Sequence, residues 1–101
     1  MKLVGFWKIN TEIDAKKLAE VAAKLLEKGA FPPEGMEIKE WLMCPGGNGI
    51  IVAEVPDEKV AYMSWAAWNG AMPGYFDYLE MMPAVEVQDA IAMSLAPPKK
   101  K

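Results

Sequence analysis

Histidine and arginine are both missing from this chain, and there is a single cysteine, Cys44. Each gap removes a class of function. Without histidine there is no Ser-His or Cys-His pair to activate a nucleophile. One thiol and no imidazole cannot build a structural zinc site. Carboxylates alone hold a hard cation only where their oxygens cluster, and no loop here clusters them, so neither a metal nor a cofactor is expected. Without arginine, phosphates and base edges lose their usual bidentate partner. The net charge of −3 points the same way, and it deepens once the lysines at 99–101 are set aside as a solvated tail, leaving 8 lysines against 14 acidic residues. An acidic body of this kind excludes nucleic acid as a partner. A lone cysteine forbids an internal disulfide and suits a reducing, cytoplasmic setting. No apolar run approaches the ~18 residues of a membrane span. The opening MKLVGFWKIN lacks a small-residue cleavage site and reads as a strand, not as a leader peptide.

What is present is a single domain's worth of chain, 101 residues, of which 52% are hydrophobic. That is generous for a small monomer, whose surface remains large relative to its core. The boundaries expected are one domain over 1–96 and a disordered Pro/Lys tail over 97–101.

The patterning predicts alternating elements. Residues 2–9 are a strand with both faces mostly apolar, Leu3, Gly5, Trp7 and Ile9 pointing one way and Val4, Phe6 and Lys8 the other. Residues 12–28 carry a helical stripe (Ala15, Leu18, Val21, Ala22, Leu25, Leu26), with Thr11 as N-cap and Gly29 as the stop. FPPEG is a turn. Residues 36–43 alternate apolar and charged, which suits an edge strand. CPGGNG is a hairpin loop, and 50–55 is again apolar on both faces apart from Glu54. Asp57 caps a second helix that ends at Asn69-Gly70. A last strand over roughly 76–86 contains Pro83, which confines it to an edge or a bulge, and a short helix follows over 87–95.

The order β-α-β-β-α-β is an α+β, ferredoxin-like split βαβ motif with an antiparallel sheet, the first and third strands central. Helices cover one face of such a sheet. The other face would carry Trp7 or Phe6, Ile50 or Ile51, and Met81 or Met82. An apolar face of that size calls for a cover, and a second copy packed face to face, a homodimeric α/β barrel, supplies one economically.

Several short motifs then fall into a known arrangement. PPEG precedes a strand, Trp41 stands eight residues before the Gly49 of GIIVAE, a helix ends in Trp68-Asn69, and the last strand holds Pro83. Together these resemble the domain-of-unknown-function family numbered 3303, small archaeal and bacterial proteins of about this length, over nearly the whole chain. The matching positions are Pro33, Gly35, Trp41, Gly49, Glu54, Trp68, Asn69 and Pro83. The resemblance implies a ferredoxin-like dimeric α/β barrel and no established activity. A histidine commonly follows the strand-two tryptophan in that family; Leu42 stands there in this chain, so any role for that imidazole is absent or moved. The same barrel is used by cofactor-independent antibiotic-biosynthesis-type monooxygenases, by haem-binding relatives and by ligand binders, so the architecture leaves the function open.

Chemistry-bearing candidates are few. CPGGNG lacks the lysine, Ser/Thr and following helix of a phosphate loop. Cys44 has no neighbouring cation to lower its pKa and reads as inert. Glu54 is the candidate catalytic base: a carboxylate in a central strand would need a partner or a raised pKa if buried, and Trp68 and Asn69 could reach it across the helix–sheet gap. The competing reading, which the sequence favours, places Glu54 at the strand end, near solvent, where it caps or pairs with Lys59. Trp65 and Trp68 are i, i+3 neighbours on a wide apolar stripe. They either supply core area that a small domain needs or wall an apolar pocket together with Trp41 and Trp7, and core packing is the heavier alternative. The ligand-binding candidates are therefore Trp7, Trp41, Glu54, Trp65, Trp68 and Asn69. The leading functional expectation is a homodimeric module that binds an apolar small molecule or serves interaction. The alternatives are a cofactor-independent monooxygenase-like enzyme acting on an aromatic or quinonoid compound, and a structural or regulatory partner with no pocket.

Overall fold

The computed structural model describes residues 1–96; the expected Pro/Lys tail lies outside them. The elements run β1 (Lys2–Ile9), α1 (Ala15–Glu27), β2 (Glu37–Met43), β3 (Asn48–Glu54), α2 (Glu58–Ala71), β4 (Phe76–Ala84) and α3 (Val87–Leu95). The four strands form one antiparallel sheet in the order β2-β3-β1-β4. The strands that are apolar on both faces, β1 and β3, are central. The charged β2 and the proline-bearing β4 lie at the edges, where the N–H that Pro83 lacks costs no ladder bond. This is the ferredoxin-like arrangement.

Register decides which side of each strand meets the helices. Trp7 pairs with Gly49 and Leu79, Gly5 with Ile51 and Met81, and Leu3 with Ala53. These residues face α1 and α2 and merge with the core of Leu3, Leu18, Leu25, Phe31, Ile51, Ala53, Val55, Trp68 and Tyr75. The opposite face presents Val4, Phe6, Ile50, Val52 and Met82, with Phe6 and Met82 well exposed. Of the pairs left open by alternation, the outward members are thus Phe6, Ile50 and Met82.

Local chemistry explains the helix ends. The expected start of α1 at residue 12, capped by Thr11, is corrected: Asn10 organises residues 10–13 as a turn. Its side-chain oxygen accepts from the Glu12 N–H at 3.0 Å, and its carbonyl accepts from the Ile13 N–H at 3.2 Å, so the helix waits until Ala15. Asparagine competes with a helix by this means. At the other end Gly29, at φ +71°, takes the left-handed conformation. The Gly29 and Ala30 N–H groups donate to Leu26 and Leu25, closing a Schellman motif. Asp57 caps α2 by accepting from the Val60 N–H at 3.1 Å. Gly70 does not end α2, which continues to Ala71 until Pro73 intervenes; Gly74, at φ +83°, makes the turn into β4. Inside α2, fully buried Ser64 donates to the Ala61 carbonyl at 2.7 Å and meets Met81 of β4.

The last helix is unlike the others. Not one residue of α3 is buried, and Val87, Ile91 and Leu95, four apart along one side, are largely exposed. Its entry is tied to β1 by an ion pair between Lys2 and Glu86.

Candidate functional site

Between α1 and the helix-facing side of the sheet lies a cleft of about 520 Å³. Two features of the sequence create it. Along α1, Ala15, Ala19, Ala22 and Ala23 present only methyl groups to this space beside Leu18 and Leu26, whereas Leu25 reaches into the core. The remaining wall is aromatic. Trp41 of β2 lies 5.2 Å from Phe31, and Phe31 lies 5.3 Å from Trp68 of α2. Trp68 stands 5.1 Å from Tyr75 and 5.6 Å from Phe76, and Phe76 meets Trp7 of β1 at 5.9 Å in an edge-to-face contact. Six rings thus run in an unbroken series from one edge of the sheet to the central strand. Contacts of this kind stabilise by more than area alone, so the wall is set before anything enters. Exposed Ala15, Ala19, Ala23 and Leu26 mark the mouth.

The cleft has almost no polar groups. No charged side chain lines it. The Tyr75 hydroxyl donates to the Leu18 carbonyl at 3.1 Å, pinning the turn before β4 to α1, and burial pushes that hydroxyl above its ordinary pKa. Trp7 supplies the other polar group. Its ring fills the space above Gly49, where a Cβ would stand 2.0 Å from Trp7 Cζ2; glycine is required there by this close approach. The Trp7 Nε1–H is buried and finds no acceptor among the described residues.

The structure divides the six residues singled out from the sequence. Trp7, Trp41 and Trp68 line the cleft together. Trp68 is also core, with 5% exposure, so packing and wall are one role in this side chain. Trp65 does not join it. At 37% exposure it stacks on Tyr62 at the surface, and with Asn69 it borders a separate polar hollow of about 170 Å³ closed by Asp77 and Tyr78. Three residues along a helix turn the direction by roughly 60°, enough to place one ring in the core and the other outside it. Glu54 borders neither space. It shares the parity of Ile50 and Val52, as expected, but that parity faces away from the helices. Its side chain is 40% exposed and 3.7 Å from the amino group of Met1, not paired with Lys59. Neither Trp68 nor Asn69 reaches it through the sheet.

Sequence reasoning missed Phe31, Tyr75 and Phe76. Phe31 sat inside a turn motif, Tyr75 in the loop before the last strand and Phe76 at the first position of that strand. The signal available was the aromatic content of those loops, since a buried ring next to a turn anchors the turn to the core. Among the described residues no group of His, Cys, Asp and Glu is placed to hold a metal, and no helix is long and apolar enough to cross a membrane.

The comparisons follow this geometry. The family model described as Domain of unknown function (DUF3303) matches residues 1–96. No curated protein matches the chain. Among solved structures, a crystal structure of an antibiotic biosynthesis monooxygenase is similar with a TM-score of 0.55 at 17% identity, covering 84% of this chain and 98% of the other. A putative antibiotic biosynthesis monooxygenase from Caulobacter crescentus CB15 is similar with a TM-score of 0.52 at 18% identity, covering 84% and 89%. At such identities the likeness is one of fold.

Proposed function

Because the chain belongs to the DUF3303 family, described as a domain of unknown function, we propose from its geometry that it is a homodimeric module that binds a small, neutral, apolar molecule. The observation that carries this reading is the cleft: about 520 Å³, walled by six aromatic rings on one side and the alanines and leucines of α1 on the other, and free of charged side chains. Ligand sites have this size and this character. A domain this small gains more stability from filling such a space than from leaving it open, so a standing cleft is a feature with a use.

The homodimer rests on the other side of the sheet. Val4, Phe6, Ile50, Val52 and Met82 form an apolar surface rimmed by Lys2, Lys8, Glu40, Glu54 and Glu80. A second copy placed against it offers the same apolar centre and charges of both signs at the rim, the composition of a self-complementary contact. The exposed Val87, Ile91 and Leu95 of α3 extend the apolar surface available to that partner. A reducing, cytoplasmic setting suits the exposed Cys44.

The enzymatic alternative, a cofactor-independent oxygenase acting on an aromatic or quinonoid compound, draws support from the two monooxygenase-like folds. It has less support from the side chains, because Glu54, its proposed base, lies on the far side of the sheet from the cleft. The reading of a purely structural partner is opposed by the cleft itself. Titration with the apolar fluorophore N-phenyl-1-naphthylamine tests the ligand module: saturable binding of one dye per chain, with quenching of tryptophan emission, is expected. Uptake that rises linearly without saturation overturns the reading.

A further inference from the structure

Resting on the reading of the cleft as a ligand site, we infer that Trp7 is its specificity residue: the indole Nε1–H recognises a single hydrogen-bond acceptor, such as a ketone or ether oxygen, on an otherwise apolar, neutral ligand. The buried polar inventory leads to this. A buried donor without an acceptor is costly, and native proteins leave few of them. Among the described residues one buried side-chain donor is left so, the Trp7 indole N–H, in the wall of the 520 Å³ cleft. Packing accounts for the ring, whose carbons fill the space above Gly49, and gives no reason for leaving its N–H without an acceptor. Trp7 is also held in place: Phe76 meets its ring edge to face, and the missing side chain at Gly49 makes its berth. The other polar group, the Tyr75 hydroxyl, has already spent its proton on the Leu18 carbonyl. Among the described residues the side chains of the cleft leave one donor without a partner, so the cleft selects an acceptor. A ligand carrying only donors gains nothing from Trp7, and a charged ligand loses its hydration without compensation.

The nitrogen is screened from the open cleft, so recognition requires a side-chain adjustment that uncovers it. Met43 and Met81 in the same wall are unbranched and adapt readily.

Benzophenone and diphenylmethane make a matched pair of probes, alike in shape and differing in the carbonyl. Calorimetric titration of the full chain should show benzophenone bound about tenfold more tightly, the worth of one net neutral hydrogen bond. In Trp7→Phe the two should bind alike, with the thermal midpoint lowered by the gap that the smaller ring leaves above Gly49. Equal binding of both probes by the unaltered protein, or a preference that persists in Trp7→Phe, overturns the role of Trp7 and leaves the cleft reading standing. Binding of neither probe overturns both. Should Trp7→Phe not fold, the assigned Trp7 indole N–H resonance of the unaltered chain decides. A downfield shift with benzophenone and not with diphenylmethane supports the inference, and an unmoved resonance refutes it.

Discussion

If the space beneath α1 is a standing cleft, filling it should stabilise the protein while blocking its ligand. Ala22 is the place to do so: it is half-buried, lines the cleft, and lies on the helix face between Leu18 and Leu25. Ala22→Leu adds three carbons. Wholly buried, they would contribute about 2.4 kcal/mol at ~0.8 kcal/mol per carbon. The half-exposed position removes roughly half of that, and the new side chain loses about 0.5 kcal/mol of rotamer freedom. A net gain of about 0.7 kcal/mol remains, which for a domain of this size raises the thermal midpoint by roughly 3–5 °C. The same atoms compete with a bound molecule. Forcing both into the cleft costs about 1–3 kcal/mol, so N-phenyl-1-naphthylamine should bind at least about fivefold more weakly. Calorimetric melting and dye titration, at one fixed protein concentration, read the two effects. A lowered melting temperature would mean that other side chains already fill the space. An unchanged dye affinity would mean that the dye binds elsewhere. Either result refutes the reasoning.

Four further outcomes follow from the same geometry. Gly49→Ala drives a methyl into the Trp7 ring, so stability should fall by about 1–3 kcal/mol, read as a lower urea midpoint with a shifted tryptophan emission; an unchanged midpoint contradicts the close approach. Glu54→Gln should leave dye affinity unaltered, because this carboxylate faces away from the cleft, and a large loss would return Glu54 to the site. The folded Tyr75 hydroxyl has a pKa above its ordinary 10.0, so its contribution to stability is complete below that pH and is lost as pH rises through the folded value. Tyrosinate absorbance from this residue should then appear together with alkaline unfolding and not before it. Val52→Lys plants a charge in the centre of the open sheet face and should halve the sedimenting mass, whereas a persisting dimer would move the contact elsewhere.

Much of the fold was legible because burial on both faces differs from burial on one. Strands β1 and β3 read as central and β2 and β4 as edges from apolar patterning and one proline alone. The candidate site was less legible, for reasons visible in particular residues. Alternation placed Glu54 with Ile50 and Val52, but parity cannot say which face the helices cover, and the answer put Glu54 outside. Spacing made Trp65 and Trp68 neighbours, but a helix turns far enough between them to separate core from surface. Residues 12–14 were read into the helix because Thr11 makes a plausible cap, yet a side chain just before them, Asn10, holds its own turn. The cleft itself depends on small residues, and an alanine declares little about whether its neighbour is a packed ring or open space.

The most direct test of a ligand-binding homodimer is native mass spectrometry of protein purified gently from its own host, compared with the denatured mass. The account predicts a dimer carrying a reproducible extra mass that is lost on denaturation, one small molecule per chain. A bare monomer would contradict it, removing at once the partner for the open sheet face and the occupant of the cleft.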